Sequence, residues 1–176
     1  MARHIIIAYW LIPSEPVQSF FQGIINDLAR RYDAPVFEPH VTVHVGANRA
    51  EAGQQALAGA TRECTPIMLK PLEIDHSDEF IKTLFVQFVL SKELQQINDI
   101  IRRAARDSSH YDLKPHLSLI YRNMAPATRR KVAASIKVPF SEVTFGAIKA
   151  VRCVSPTRTS ADVKAWRVVA AASLSD

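Results

Sequence analysis

Two short stretches hold residue types that could do chemistry together. PHVTV spans residues 39–43 and PHLSL spans residues 115–119. Each reads proline, histidine, apolar residue, hydroxyl, apolar residue. On a strand, side chains two apart share a face. His40 and Thr42 therefore point one way and Val41 and Val43 the other, and His116 with Ser118 repeats the arrangement. Where two such strands meet, one cleft gathers two imidazoles and two hydroxyls. That set suits cleavage of a phosphodiester by water. One neutral imidazole takes a proton from water while the other, protonated, gives one to the leaving oxygen. The hydroxyls donate to the non-bridging oxygens, where negative charge grows. The chemistry requires no metal and no other cofactor.

A lone histidine in a strand is more often a hydrogen-bonded structural residue than a catalyst, but the repeat of the whole pattern in two halves of the chain points to function. A zinc site at His40 and His44 would need a helix to bring them together. The valines and Pro39 argue for a strand, where residues four apart lie about 13 Å from each other, too far for one zinc at bonds of about 2 Å. His44 is expected at the rim of the cleft. His4, His76 and His110 belong to no motif and are expected at the surface or in turns.

The elements that must position these groups follow from hydropathy. HIIIAYWLI is β-branched and apolar and reads as a buried strand ended by Pro13. Residues 15–33 carry Val17, Phe20, Phe21, Ile24, Ile25 and Leu28 at helical spacing, with Ser14 as the expected cap. Pro39 disfavours helix at Glu38 and starts a strand over 40–45. A helix is expected over 48–64, capped by Asn48, then strands over 67–77 and 80–90 joined by a polar turn. SKELQQINDIIRRAARDS is strongly amphipathic and starts at Ser91. A strand over 114–122, a short helix with Pro126 in its first turn and strands over 142–154 and 164–174 complete the chain. The SPTRTSADVK segment between the last two reads as a loop. Each motif follows a long helix, so the chain reads as two similar lobes of strands backed by helices, an α+β arrangement within a single domain over 1–176.

Composition is consistent with this. Of the 176 residues 48% are hydrophobic, enough for a sizeable core, and the net charge of +5 favours anionic partners such as nucleotides or RNA. Cys64 and Cys153 form no CxxC pair and are expected as buried thiols. The basic, apolar N-terminus is broken by Pro13 and Glu15 without a small-residue cleavage site, and no stretch is long enough to span a membrane. The expectation is a cytoplasmic, monomeric protein without a membrane partner.

Taken together, PHVTV and PHLSL resemble the paired His-x-(Thr/Ser)-apolar motifs of the two-histidine phosphoesterase superfamily. The wider pattern is similar to its plant-type cyclic phosphodiesterase branch: YWLIP, FEPHVTV, FIKTLFVQFVL, KPHLSLIY and AWRVVAAASL occur in order along nearly the whole chain. The resemblance implies a bilobal α+β fold with two antiparallel sheets facing a central cleft and helices packed outside. It implies metal-independent hydrolysis of cyclic phosphodiesters to a monoester. The substrates would be nucleoside 2′,3′-cyclic phosphates or ADP-ribose 1″,2″-cyclic phosphate. By the same resemblance His40 and His116 are the acid–base pair, Thr42 and Ser118 bind phosphate, and Tyr121 helps hold phosphate or water. Strict alternation would turn Tyr121 away from the His116 face, so its role requires the strand to end or bend near Ile120.

Tyr121 is near His116 in sequence, which inclines the assignment toward His116 as base and His40 as acid. Trp10 ends the first strand and could stack on a base or sugar. Gln87, an amide among aromatics, is expected to face the cleft, and Lys149 and Arg152 are candidate phosphate neighbours. Two other readings compete. One keeps the chemistry and moves it to an RNA 3′ end bearing a 2′,3′-cyclic phosphate; RRAARD and TRRK would then be contact surface rather than solvated helix faces. The other is a phosphate-binding module without catalysis, which would have no use for an intact acid–base pair.

Overall fold

A computed structural model describes residues 2–176. The first strand, β1 (His4–Pro13), is exposed at its start but buried on both faces from Ile7 onward, so its apolar run does not alternate. Ile7, Tyr9 and Leu11 join the main core, while Ala8, Trp10 and Ile12 form a second cluster on the opposite face. Helix α1 (Val17–Tyr32) follows and buries Val17, Phe21, Ile25 and Leu28 along one stripe. The chain continues through β2 (Val41–Ala47), α2 (Ala52–Glu63), β3 (Ile67–Leu69), β4 (Pro71–His76) and a 3₁₀ turn (Phe80–Lys82). It ends with β5 (Leu84–Phe88), α3 (Lys92–Ala104), β6 (His116–Ile120), α4 (Pro126–Ser135), β7 (Val143–Ser155), α5 (Ser160–Lys164) and β8 (Arg167–Ser173). Among the described residues no helix is long and apolar enough to cross a membrane.

All strand pairings are antiparallel, in the order β3-β7-β1-β2-β6-β5-β4, with β8 on the β3 side of β7. The α+β, two-lobed architecture expected from the sequence is present, but the two expected sheets are joined into one. The junction is a single residue pair, Val41 opposite Leu117. Strands β2 and β6 overlap only near their N-terminal ends and run off in opposite directions. At the far ends, β3 and β4 are separated only by Lys70. A flat run of seven strands would hold its outer strands roughly 29 Å apart, whereas two Cα steps span about 7 Å. The sheet therefore coils back on itself, and Phe88 of β5 meets Phe145 of β7, ring centroids 5.8 Å apart. Two helices cross between lobes, α1 packing on β6 and α3 on β2, while α2 stays on β7 and β8 and α4 on β4.

Several local readings are corrected. The expected strand over 67–77 is broken at Lys70 by Pro71, and residues 80–82 form a 3₁₀ turn rather than the start of β5. Helix α1 has no side-chain cap from Ser14. Helix α2 begins after Glu51, which is in the left-handed region (φ 63°), while Asn48 accepts a bond from Arg152 instead. Ser91 does cap α3, accepting from the Leu94 amide. The loop before β8 holds α5, closed at its start by a reciprocal Thr159–Asp162 capping box.

Two bulges matter most for the site. On β2, Thr42 lies opposite Trp10 but His44 lies opposite Tyr9, so Val43 is the extra residue. On β6, Ser118 lies opposite Phe85 but Ile120 lies opposite Leu84, so Leu119 is extra. Both bulges fall one residue after the motif hydroxyl, and each reverses the alternation beyond it. His44 thus leaves the cleft face and is fully buried in the main core. Its Nε2 donates to Asp107 Oδ2 at 3.0 Å, and Asn98 lies beside its Nδ1 while donating to the Val43 carbonyl at 2.7 Å. The carboxylate reaches His44 only because residue 46 is glycine: a Cβ there would lie 1.7 Å from Asp107 Oδ2.

Gly46→Ala is expected to expel Asp107 and leave a buried ring nitrogen unpaired, lowering stability by about 2–3 kcal/mol. Urea unfolding measures this. The loss should be much smaller when Asp107→Ala is already present, because the two changes remove the same contact.

Candidate active site

Val41 and Leu117 are the equivalent apolar residues of the two motifs, and they face each other antiparallel. Pairing of equivalent residues defines a local twofold axis through the junction. Their side chains enter the main core, which leaves His40, Thr42, His116 and Ser118 on the opposite face. There they line one cleft of about 250 Å3, together with Trp10, Tyr121, Trp166 and Tyr111. A larger depression between α2 and α3, about 520 Å3, is lined in part by Glu63 and Arg103, which are paired with each other at 3.0 Å. It contains none of the motif residues.

The two histidines are held identically. His40 Nδ1 donates to the Glu38 carbonyl at 2.7 Å, and His116 Nδ1 donates to the Lys114 carbonyl at 2.8 Å. A carbonyl can only accept, so the proton is on Nδ1 and Nε2 is the nitrogen left for a ligand. Both acceptors are the residue before the motif proline, which the proline ring biases toward extended backbone. Burial pushes the His40 imidazole down to about 4; the Glu38 bond works weakly against this and His116 adds to it. His116 is also lowered, first by burial and then by Lys82, with the Lys114 carbonyl and Glu79 acting in the other direction. His40 is stacked on Trp10, ring centroids 3.7 Å apart and 12° from parallel. A desolvated cation on a ring gains up to about 2 kcal/mol. A shift from 6.5 to about 4 represents roughly 3 kcal/mol against the charged form, so burial prevails and His40 is neutral at neutral pH.

The hydroxyls differ. Ser118 Oγ donates to the Ile81 carbonyl at 3.0 Å. Thr42 has no side-chain hydrogen bond among the described residues, so its hydroxyl is available to a ligand. Tyr121 reaches the cleft because the Leu119 bulge reverses the strand, which meets the condition noted from the sequence. Burial pushes its phenol well above the usual range, only weakly opposed by Ser118, so it remains a donor. Its ring packs on Phe37 and edge-on to Trp166.

Other expected site residues are placed differently. Trp10 lines the cleft, but His40 covers one face of its ring and Trp166 abuts it edge-on, 5.3 Å between centroids. The indole therefore braces the imidazole rather than standing free for a base. Gln87 is opposite His116 in register, yet its amide donates to the Pro115 carbonyl at 3.3 Å and it does not line the cleft. Lys149 is paired with Glu38 at 2.7 Å, and Arg152 turns to Asn48. The expectation of His44 at the rim fails because the Val43 bulge turns it inward. Among the described residues no three His, Cys, Asp or Glu side chains are grouped as metal ligands would be.

Three residues of the site were not anticipated. Trp166 precedes β8 and Tyr111 lies in the segment after α3; both are brought to the cleft by distant parts of the chain. Phe85 had a detectable signal. It occupies in β5 the place Trp10 holds in β1, opposite the motif hydroxyl, and it packs edge-on to His116 at 5.6 Å.

The family model for cyclic phosphodiesterase-like proteins matches residues 5–174. No curated protein is a significant sequence match. Among solved structures, apo LigT of E. coli is similar at 13% identity and a TM-score of 0.61, over 99% of this chain and 100% of that one. LigT complexed with 3′-AMP is 14% identical with a TM-score of 0.58 over 97% of each chain. TT0787 of Thermus thermophilus is 17% identical with a TM-score of 0.57, over 96% of this chain and 97% of its own. At these identities the likeness is one of fold.

The depressed His40 pKa links protonation to folding. Unfolded, the ring binds a proton below 6.5; folded, only near 4. Its contribution to stability is therefore complete above pH 6.5 and is lost as pH falls toward 4. Denaturant unfolding at pH 7.5 and 4.5 should show a drop larger by about 2 kcal/mol in the unmodified protein than in His40→Gln, which lacks this titration. Equal drops would mean that His40 is not held neutral by burial.

Proposed function

Because the chain belongs to the cyclic phosphodiesterase-like protein family, we propose that it hydrolyses a ribose cyclic phosphodiester to a phosphomonoester without a metal. The substrate is a nucleoside 2′,3′-cyclic phosphate or ADP-ribose 1″,2″-cyclic phosphate. The observation that carries this reading is the pair of twofold-related imidazoles, each with Nδ1 tied to a carbonyl and Nε2 left toward one cleft. The 3′-AMP bound to E. coli LigT is one of the two monoesters that opening a 2′,3′-cyclic adenosine phosphate can give.

His40 is the base. Burial keeps it neutral, so its Nε2 accepts a proton from water as the water oxygen bonds phosphorus. His116 is the acid. Its Nε2–H protonates the ribose oxygen as the phosphorus–oxygen bond of the ring breaks. This reverses the assignment that nearness of Tyr121 to His116 favoured: an acid with a pKa near 4 would be almost wholly deprotonated at the pH where its partner is neutral. Thr42 donates to a non-bridging oxygen, and Ser118 does so on releasing Ile81. Tyr121, kept protonated, is a further donor.

In chelator, the purified protein should open 2′,3′-cyclic nucleotides with a bell-shaped kcat/KM profile. The rising limb reports His40 near 4 and the falling limb His116 below 6.5, so the maximum lies at mildly acidic pH. His40→Ala and His116→Ala should each lower kcat at least about 100-fold with the fold intact. Activity that disappears with chelator and returns with zinc would overturn the mechanism.

A further inference from the structure

The surroundings of the two histidines carry charge differently. Beside His40, the Lys149 cation is neutralised by Glu38 at 2.7 Å. The lysine that precedes the second motif, Lys114, is paired with Asp112 at 3.0 Å. Lys82 is not so engaged. Its ammonium sits over the Phe85 ring, 4.6 Å from the centroid, and among the described residues it has no carboxylate partner within ion-pair distance. Phe85 in turn packs against His116, and the preceding Ile81 lines the cleft and accepts the Ser118 hydroxyl. Lys82 is thus a half-buried cation held on an aromatic ring at the His116 end of the cleft.

Such a placement works against the acid when the cleft is empty, because a fixed positive charge disfavours the imidazolium. Glu79 on the same turn opposes it but forms no ion pair with Lys82. An anion arriving at Lys82 removes the conflict. The scissile phosphate already has Thr42, Ser118 and the two imidazoles around it, so the charge available to Lys82 is that of a second group.

We propose that Lys82, seated on Phe85, is a second anion subsite, and that the preferred substrate carries at least one phosphate besides the cyclic one. This rests on the phosphodiesterase reading above and narrows its substrate class. A nucleotide 5′-phosphate, the pyrophosphate of an ADP-ribose and the last internucleotide phosphate of an RNA end all present that chemistry.

Calorimetric titration of product analogues tests it without relying on turnover. Adenosine 2′,5′-bisphosphate should bind about tenfold more tightly than adenosine 2′-phosphate at low salt. Lys82→Met should abolish that difference with the circular dichroism spectrum unchanged. A preference that survives Lys82→Met, or equal weakening of both ligands, would overturn the subsite. If the preference is present but no cyclic phosphate is turned over, the phosphodiesterase reading fails and the subsite stands. Turnover without the preference has the opposite meaning. A dinucleotide ending in a 2′-phosphate and a phosphorylated ADP-ribose, titrated alongside, tell an internucleotide phosphate from a pyrophosphate as the group that reaches Lys82.

Discussion

The antiparallel pair Val41–Leu117 is the constraint on which the rest of the structure depends. Among the described residues it is the only register contact between β2 and β6, and it joins equivalent residues. An antiparallel ladder centred there carries His40 toward the level of Ser118 and Thr42 toward that of His116. Each imidazole is thereby set near the other motif's hydroxyl, and neither motif can make the site alone. A longer ladder would close the two strands into continuous sheet. One pair fixes the register and leaves the strands free to diverge, which is the geometry a cleft requires.

The bulges are the second condition, and they are stabilised from behind. A bulge leaves one residue outside the ladder. At Val43 the exposed backbone acceptor is taken by Asn98 of α3. His44, turned inward by that bulge, is satisfied by Asp107, whose carboxyl is raised by burial but lowered overall by bonds from Ser109 and His44. This network binds β2 to the segment that leads, through Tyr111, into His116. The back of the first motif therefore helps to set the approach to the second, and Gly46 is required because the carboxylate occupies the space a side chain would fill.

Much of this was legible in the sequence, and what was missed has identifiable causes. The motifs, their facing residues and the two-lobed α+β plan follow from spacing and hydropathy alone, because a strand with period two leaves few alternatives. The bulges do not, since a single extra residue produces no compositional signal. His44 and Tyr121 were consequently read from unbroken alternation, which turned the first outward and made the second doubtful. Trp166 and Tyr111 reach the cleft through long-range packing. Helix α5, by contrast, was readable: Thr159 and Asp162 are spaced for a reciprocal cap, but the polar composition of the segment suggested a loop. The proline in KPL similarly announced the break between β3 and β4.

A twofold backbone would give its two histidines the same task, yet the proposed hydrolysis needs one neutral and one charged. The asymmetry has to come from their neighbours. His40 lies flat on an indole with its nearby lysine neutralised, and burial costs a neutral imidazole little while penalising the cation heavily. His116 meets the edge of a smaller ring and is closer to the groups that carry charge, Lys82 and Glu79. A negatively charged substrate raises the proton affinity of any imidazole it touches, and that rise has the greater effect on the ring whose depression is smaller. On the proposed mechanism, the symmetric frame supplies position, and the unequal shells around it divide the labour between base and acid.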